Sequence, residues 1–308
     1  MPTPTLYPQA LRPGDAVALV SPAGPVQAPR IEAAAAVLES WGLKPRIYPH
    51  ALDRHSFYAG TDANRLADLN HALNDPQIRA VLCNRGGYGV QRILDGVDIE
   101  AVRHDPKLVS GFSDITALHG LLWAQARLAC VHGPVLSQIG DNPTLAAGLR
   151  HALMSTEPVQ LKADPHAGTG GVRTAGSARG LLLGGNLSML STCIGTPFMP
   201  DLNGAILLLE DVGEAAYRVD RLMTHLGNCG VLQGLAGVAL GDFSVPEQAS
   251  GSITPAQVLL ERLGELGIPV LGGLPIGHGS VNVSVPLGTE AVLDADAGTL
   301  YVSAGTRA

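Results

Sequence analysis

Ser113 lies in Val109-Ser-Gly-Phe-Ser-Asp-Ile-Thr-Ala-Leu-His119, between an apolar run and a helix-forming one. A serine on a sharp strand-to-helix turn lifts its hydroxyl above the sheet edge. The backbone N–H that follows points to the same place, which suits the holding of an oxyanion. Gly111 permits the tight turn, but Ile115 stands where the second glycine of G-x-S-x-G would fall. The same residues equally suit a helix cap made by Ser113 or Asp114. Arg85-Gly-Gly-Tyr-Gly89 follows another apolar run. Adjacent glycines let backbone amides approach a ligand or a transition-state oxygen, and Arg85 can grip a carboxylate in a two-bond fork. A plain glycine turn with a surface arginine fits as well. The segment matches neither G-x-G-x-x-G nor the phosphate-loop pattern, so a nucleotide reading has little support.

Glu210 and Asp211 end the run Ala205-Ile-Leu-Leu-Leu-Glu-Asp211. A carboxylate at the end of a buried strand is costly unless it is paired or solvated. One of them could orient a histidine, as the acid of a Ser-His-acid triad does, or simply lead into the loop Val212-Gly-Glu214. Glu214, Arg218, Asp220 and Arg221 could form a salt-bridged helical face. His278 stands between two glycines in Leu274-Pro-Ile-Gly-His-Gly-Ser280. That is open loop access for a general base with a near-neutral pKa, although a loop histidine without a role has the same signature. His71 and His119 fall within helical patterns, and His132 could line a cleft or pack. No histidines and carboxylates have metal-site spacing, so no metal is expected. Gly184-Gly-Asn-Leu-Ser188 reads as a turn before a short apolar helix, Met189–Ile194, with amides that could reach a substrate or close a domain interface.

The elements that must position these residues alternate through the first half. Asp15–Val20 is a buried strand bounded by Pro13-Gly14 and Ser21-Pro22. Ile31–Ser40 has strong helix formers and ends at Gly42. Leu43–Tyr48 follows as a strand. Asp62–Asn74 places Leu66, Leu69 and Leu73 at helical spacing, with Asp62 as its cap. Ala80–Cys83 and Leu108–Gly111 are further strands, and Ile115–Gln125 a further helix. This rhythm predicts a mostly parallel sheet covered by helices, with function in the loops at the strands' C-terminal ends.

Ser155–Gly176 is rich in Gly, Thr and Pro and reads as a linker or an edge of a second domain. Beyond it lie the apolar runs Ala205–Leu209 and Leu235–Leu240, a helix at Pro255–Leu266, and short β-like pieces at Val281–Val285, Ala291–Leu293 and Leu300–Val302. The expected architecture is α/β. A Rossmann-like parallel-sheet domain spans 1–154, a linker 155–176, and a smaller α+β domain rich in short strands 177–308.

The chain has 308 residues, 46% of them hydrophobic and 15% charged, enough apolar material for a core rather than dominant disorder. A net charge of −7 without a Lys/Arg cluster lacks the footprint of a nucleic-acid binder. No export signal is visible at the start, and no apolar stretch approaches the roughly 20 residues that span a bilayer. Cys83, Cys130, Cys193 and Cys229 lie far apart and read as small buried hydrophobes of a reducing compartment. A cytoplasmic protein is expected.

Several separated segments, in order, resemble one family. Arg85-Gly-Gly-Tyr-Gly89, Gly111-Phe-Ser-Asp-Ile-Thr-Ala-Leu-His119, Leu209-Glu-Asp-Val-Gly-Glu214 with Tyr217-Arg218 and Asp220-Arg221, and Pro275-Ile-Gly-His278 look like the LD-carboxypeptidases, the serine peptidases of murein recycling. Gly184-Gly-Asn-Leu187 and Gly195-Thr-Pro197 match as well, and the likeness runs from Gly14 to His278. The resemblance implies two domains, with the nucleophile on the first and the acid and base on the second. It implies Ser113 as nucleophile, His278 as general base and then acid, and Glu210 as the group that orients His278. The backbone N–H of Asp114, with that of Gly87 or Gly86, would form the oxyanion hole, and Arg85 would help hold substrate. The implied reaction hydrolyses an L,D peptide bond, releasing the terminal D-Ala of a murein tetrapeptide whose third residue is a diamino acid. The implied enzyme is a cytosolic homodimer without metal or cofactor. A related branch cleaves peptide-nucleotide antibiotics in self-immunity; Arg85-Gly-Gly-Tyr-Gly89 favours the murein branch. A non-catalytic peptide-binding protein on the same scaffold is the third reading.

Overall fold

The computed structural model describes residues 4–244 and 253–308. The first half builds β1 (Ala16–Val20), α1 (Ala28–Ser40), β2 (Lys44–Ile47), α2 (Asp62–Asn74), β3 (Ile78–Cys83), α3 (Ile99–His104), β4 (Leu108–Gly111), α4 (Thr116–Ala126), β5 (Cys130–His132) and α5 (Pro143–Met154). β1 to β5 run parallel in the order 5-4-3-1-2. Every residue of β1 is buried, as expected of a parallel strand covered on both faces. Its alternation divides the core. Ala16, Ala18 and Val20 pack with Leu69, Leu73 and Leu118 on one face; Val17 and Leu19 pack with Ile31, Leu38 and Leu149 on the other.

The second half adds β6 (Val159–Lys162), β7 (Arg173–Thr174), β8 (Ser177–Asn186), α6 (Leu187–Cys193), β9 (Ile206–Val212), α7 (Ala216–Asn228), β10 (Gly237–Ser244), α8 (Pro255–Gly264), β11 (Val270–Leu271), β12 (Val285–Leu287), β13 (Glu290–Asp294) and β14 (Thr299–Val302). Its sheet has eight strands in the order 6-14-13-8-9-10-11-7, with β8 to β11 parallel and the outer pairs antiparallel. Leu207, Leu209, Val238 and Leu240 face Met223, Leu226, Leu259 and Leu263 of α7 and α8. Leu208, Ile206 and Ala239 face away from them, toward Leu293 and Leu300.

The structure redraws several expected boundaries. Segment 155–176 supplies both edge strands of the second sheet, β6 against β14 and β7 against β11. Edge pairing with distant strands leaves little local periodicity to read. The expected strand Val281–Val285 begins only at Val285, and β12 crosses back to pair antiparallel with β5 in the first sheet. α2 is capped by Thr61, whose hydroxyl accepts from the Asn64 N–H at 3.2 Å. Asp62 is instead the first helical residue, and its carboxylate pairs with Arg92 at 2.7 Å. Gly184 and Gly185 lie inside the end of β8 rather than in a turn, at φ +119° and +137°. A Cβ on Gly184 would sit 2.2 Å from the Leu208 carbonyl of β9, so the parallel pairing itself requires glycine. Cys83, Cys130 and Cys193 are buried as expected, whereas Cys229 is exposed.

Candidate active site

β4 ends at Gly111, and the chain turns sharply through Ser113–Ile115 into α4. Ser113 takes φ +63°, a left-handed conformation that costs a side-chain-bearing residue about 1–3 kcal/mol. Neither Ser113 nor Asp114 caps α4 with its side chain. Asp114 instead accepts the Val90 N–H at 2.8 Å, which ties the Arg85–Gly89 loop to the serine turn. Burial pushes the Asp114 carboxyl above its ordinary range.

The glycine loop packs directly on the serine. A Cβ on Gly86 would lie 2.9 Å from Ser113 Cβ and 3.2 Å from Ser113 Oγ. Gly87 sits at φ +100°. The Gly86 carbonyl accepts the Gly24 N–H at 2.9 Å, while the N–H groups of Gly86 and Gly87 have no acceptor among the described residues. Arg85 turns outward and donates to the Pro25 carbonyl at 2.7 Å.

β9 separates the two carboxylates that the sequence leaves equivalent, because successive strand residues face opposite sides. Glu210 is 0% exposed, and its Oε2 lies 2.6 Å from His278 Nδ1. Asp211 faces the β8–α6 junction, where it accepts from Asn186 Nδ2 at 3.0 Å and from Ser188 Oγ at 2.7 Å. Burial pushes the Glu210 carboxyl up, against the opposing pull of His278. Gly277, at φ +104°, admits this contact, since a Cβ there would lie 2.5 Å from Glu210 Oε2. The His278 side chain keeps 16% exposure, and its ring packs against Phe112, the residue before Ser113, at 4.6 Å between centroids and a 43° tilt. Glu210 and His278 are thus in direct contact, and Phe112, the chain neighbour of Ser113, packs against the same imidazole. No hydrogen bond joins Ser113 Oγ to the imidazole among the described residues; such bonds often tighten only around bound substrate.

Two further groups belong to this neighbourhood. His132 packs rather than lining a cleft: it is buried near Phe112, and burial lowers its pKa to about 3. Asp242 escapes the sequence reading. It lies on β10 beneath the His278 loop, where a Cβ on Gly279 would be 3.2 Å from its carboxyl carbon. Burial raises its pKa, and His278 opposes this in part. The signal was present, as Gly241-Asp242 ends an apolar run just as Leu209-Glu210 does. No group of three or more His, Cys, Asp or Glu able to hold a metal occurs among the described residues.

Residues 17–133 match the LD-carboxypeptidase N-terminal domain, and residues 179–293 match the LD-carboxypeptidase C-terminal domain. The chain belongs to the LD-carboxypeptidase family. It is therefore an enzyme, a peptidase of the serine class. The Bacillus subtilis protein named "Probable murein peptide carboxypeptidase" is 36% identical over 305 residues, covering 97% of this chain and 94% of that one. The murein tetrapeptide carboxypeptidase of Pseudomonas aeruginosa is 33% identical over 300 residues, covering 90% and 92%. Among solved structures, the muramoyltetrapeptide carboxypeptidase of Oxalobacter formigenes matches with a TM-score of 0.83 at 29% identity, covering 94% of this chain and 98% of that one. The microcin C7 self-immunity protein matches with a TM-score of 0.88, covering 97% and 98%; at 24% identity this likeness concerns the fold. No helix among the described residues is long and apolar enough to cross a membrane.

Proposed function

We propose that this LD-carboxypeptidase hydrolyses the L,D peptide bond holding the terminal D-Ala of murein tetrapeptides, through a Ser113–His278–Glu210 triad. The observation that carries the reading is the buried 2.6 Å contact of Glu210 with His278, whose ring packs at a tilt against the residue that precedes a strained serine. A serine hydroxyl is a poor nucleophile until a base takes its proton. Glu210 accepts from Nδ1–H and so leaves Nε2 free as the base. Ser113 Oγ attacks the scissile carbonyl while Nε2 takes its proton. The oxyanion meets the N–H groups of Asp114 and of Gly87 or Gly86, each such donor being worth about 2.7–4 kcal/mol. Collapse breaks the C–N bond, and the imidazolium protonates the departing D-Ala amine. Water, deprotonated by His278, then hydrolyses the acyl-enzyme.

The nucleophile comes from the N-terminal domain, and the acid and base from the C-terminal one, so the relative pose of the two governs activity. Cytosolic murein recycling and a homodimer accompany this reading. The test is incubation with murein tetrapeptide and with the same peptide ending in L-Ala. Release of D-Ala alone, abolished by Ser113→Ala, is the expected result. Cleavage only of a peptide-nucleotide conjugate would move the enzyme to the self-immunity branch. Tight peptide binding without turnover by the wild-type protein would make it a binder.

A further inference from the structure

Beside the glycine loop lies a cleft of about 300 Å³ lined by Pro25, Val26, Gln27, Arg30, Arg85 and Ser137. Among the described residues its lining holds two guanidinium groups and no carboxylate. Arg85 spends one donor on the Pro25 carbonyl at 2.7 Å, and Arg30 one on the Ser137 carbonyl at 3.4 Å. Neither has an acidic partner among the described residues. A guanidinium carries five N–H donors, so most of this capacity remains open.

The surroundings favour the same sign of ligand. α1 begins at the cleft with Gln27 as its N-cap; no side chain caps it, and no acidic residue occupies its first turn. Its positive end therefore adds to the two arginines rather than being neutralised. Two like charges in one cleft repel, and an anion between them removes that cost. In a chain of net charge −7, positive groups left without acids are available to a ligand. The cleft also adjoins the site. Arg85 directly precedes Gly86, and the Gly24 N–H joins the Gly86 carbonyl at 2.9 Å, which binds the cleft wall to the loop that packs on Ser113.

We infer that Arg30 and Arg85 form an anion subsite that takes a carboxylate of the peptide substrate. The inference rests on the peptidase reading above and deepens it, because it adds Arg30 and a ligand class to the site. Planar guanidinium forks match carboxylates in two-bond geometry, which fixes the orientation of the peptide as well as its affinity. Two sources share this chemistry: the carboxylate of the terminal residue and those farther up the peptide.

The test uses the inactive Ser113→Ala protein and murein tetrapeptide, with the dissociation constant measured by calorimetry. Adding Arg30→Ala should weaken binding about two- to fivefold, the worth of one solvent-facing charge pair, and the gap should narrow with salt. Arg30→Lys should restore part of it. In the active protein, Arg30→Ala should raise KM for D-Ala release and leave kcat unchanged. Peptides amidated at the terminal or at an upstream carboxylate then separate the sources: the amidation that removes sensitivity to Arg30→Ala marks the bound group. Unchanged affinity in a folded Arg30→Ala protein, or sensitivity that survives both amidations, overturns the subsite. If the wild type releases no D-Ala but Arg30→Ala still weakens peptide binding, the subsite stands and the assigned reaction fails. If the wild type releases D-Ala and Arg30→Ala changes neither affinity nor KM, the reaction stands and the subsite fails.

Discussion

Glu210→Gln is the sharpest perturbation of the site, because it removes one charge and almost no volume. In the wild type the carboxylate accepts from His278 Nδ1 at 2.6 Å. A hydrogen bond to a charged group is worth about 1.5–3 kcal/mol, or about 10- to 150-fold in rate. Geometry adds to this. Glu210 Oε1 is buried without a partner among the described residues, so a glutamine has two poor choices. It can turn its NH2 toward Nδ1, which reverses the imidazole tautomer, or bury that NH2 unpaired. The carboxylate-to-amide change in the chymotrypsin triad lowers kcat about 10⁴-fold through the wrong tautomer. The expected loss in kcat/KM is therefore about 10²- to 10⁴-fold. Stability moves differently. Burial raises the Glu210 pKa, so the folded protein resists its ionisation. Wild-type stability should then fall as pH rises from the ordinary carboxylate range through the raised value, and the variant lacks this loss. Relative to wild type, the variant is most stable at neutral pH and loses ground as the solution is acidified. D-Ala release measured beside thermal melts at two pH values checks both parts. A folded Glu210→Gln enzyme with wild-type kcat/KM would refute the reasoning, since the buried contact would then have no part in the proton transfer.

Gly86→Ala places a methyl 2.9 Å from Ser113 Cβ and 3.1 Å from the Phe112 carbonyl, so the loop must shift. Displacing one oxyanion donor should lower kcat about 10²- to 10³-fold, in a protein that the overpacked methyl also destabilises by about 1–3 kcal/mol; unchanged kcat in the folded variant would remove this loop from the oxyanion hole. His119 and His132 are buried without hydrogen-bond partners among the described residues, and burial lowers both from 6.5 to about 3. Their ring resonances should therefore hold the neutral form at mildly acidic pH. Unfolded imidazoles bind protons that the folded ones refuse, so stability should fall below the unfolded pKa by about 1.4 kcal/mol per pH unit for each histidine. NMR titration of either ring near pH 6.5 would contradict that burial.

The strands and helices of the first half are legible because local patterning marks them. Leu66, Leu69 and Leu73 at helical spacing, and the unbroken apolar run of β1, need only neighbours a few residues away. The serine turn, the glycine loop and the glycine-flanked histidine are equally visible as separate local oddities. Three-dimensional packing makes the choices that local patterning leaves open. Glu210 and Asp211 are adjacent and chemically alike, and the strand's two faces alone send one to His278 and the other to Ser188. Segment 155–176 looks structureless until β14 and β11 arrive to pair with it, and β12 becomes a strand only against β5. Arg30 appears as an ordinary helix-surface residue until folding brings it to the cleft that Arg85 also lines. Sequence sets which groups are available and how each segment tends to curl. Contacts between segments that are remote along the chain decide which groups meet, because they depend on pairing and burial that no local window contains.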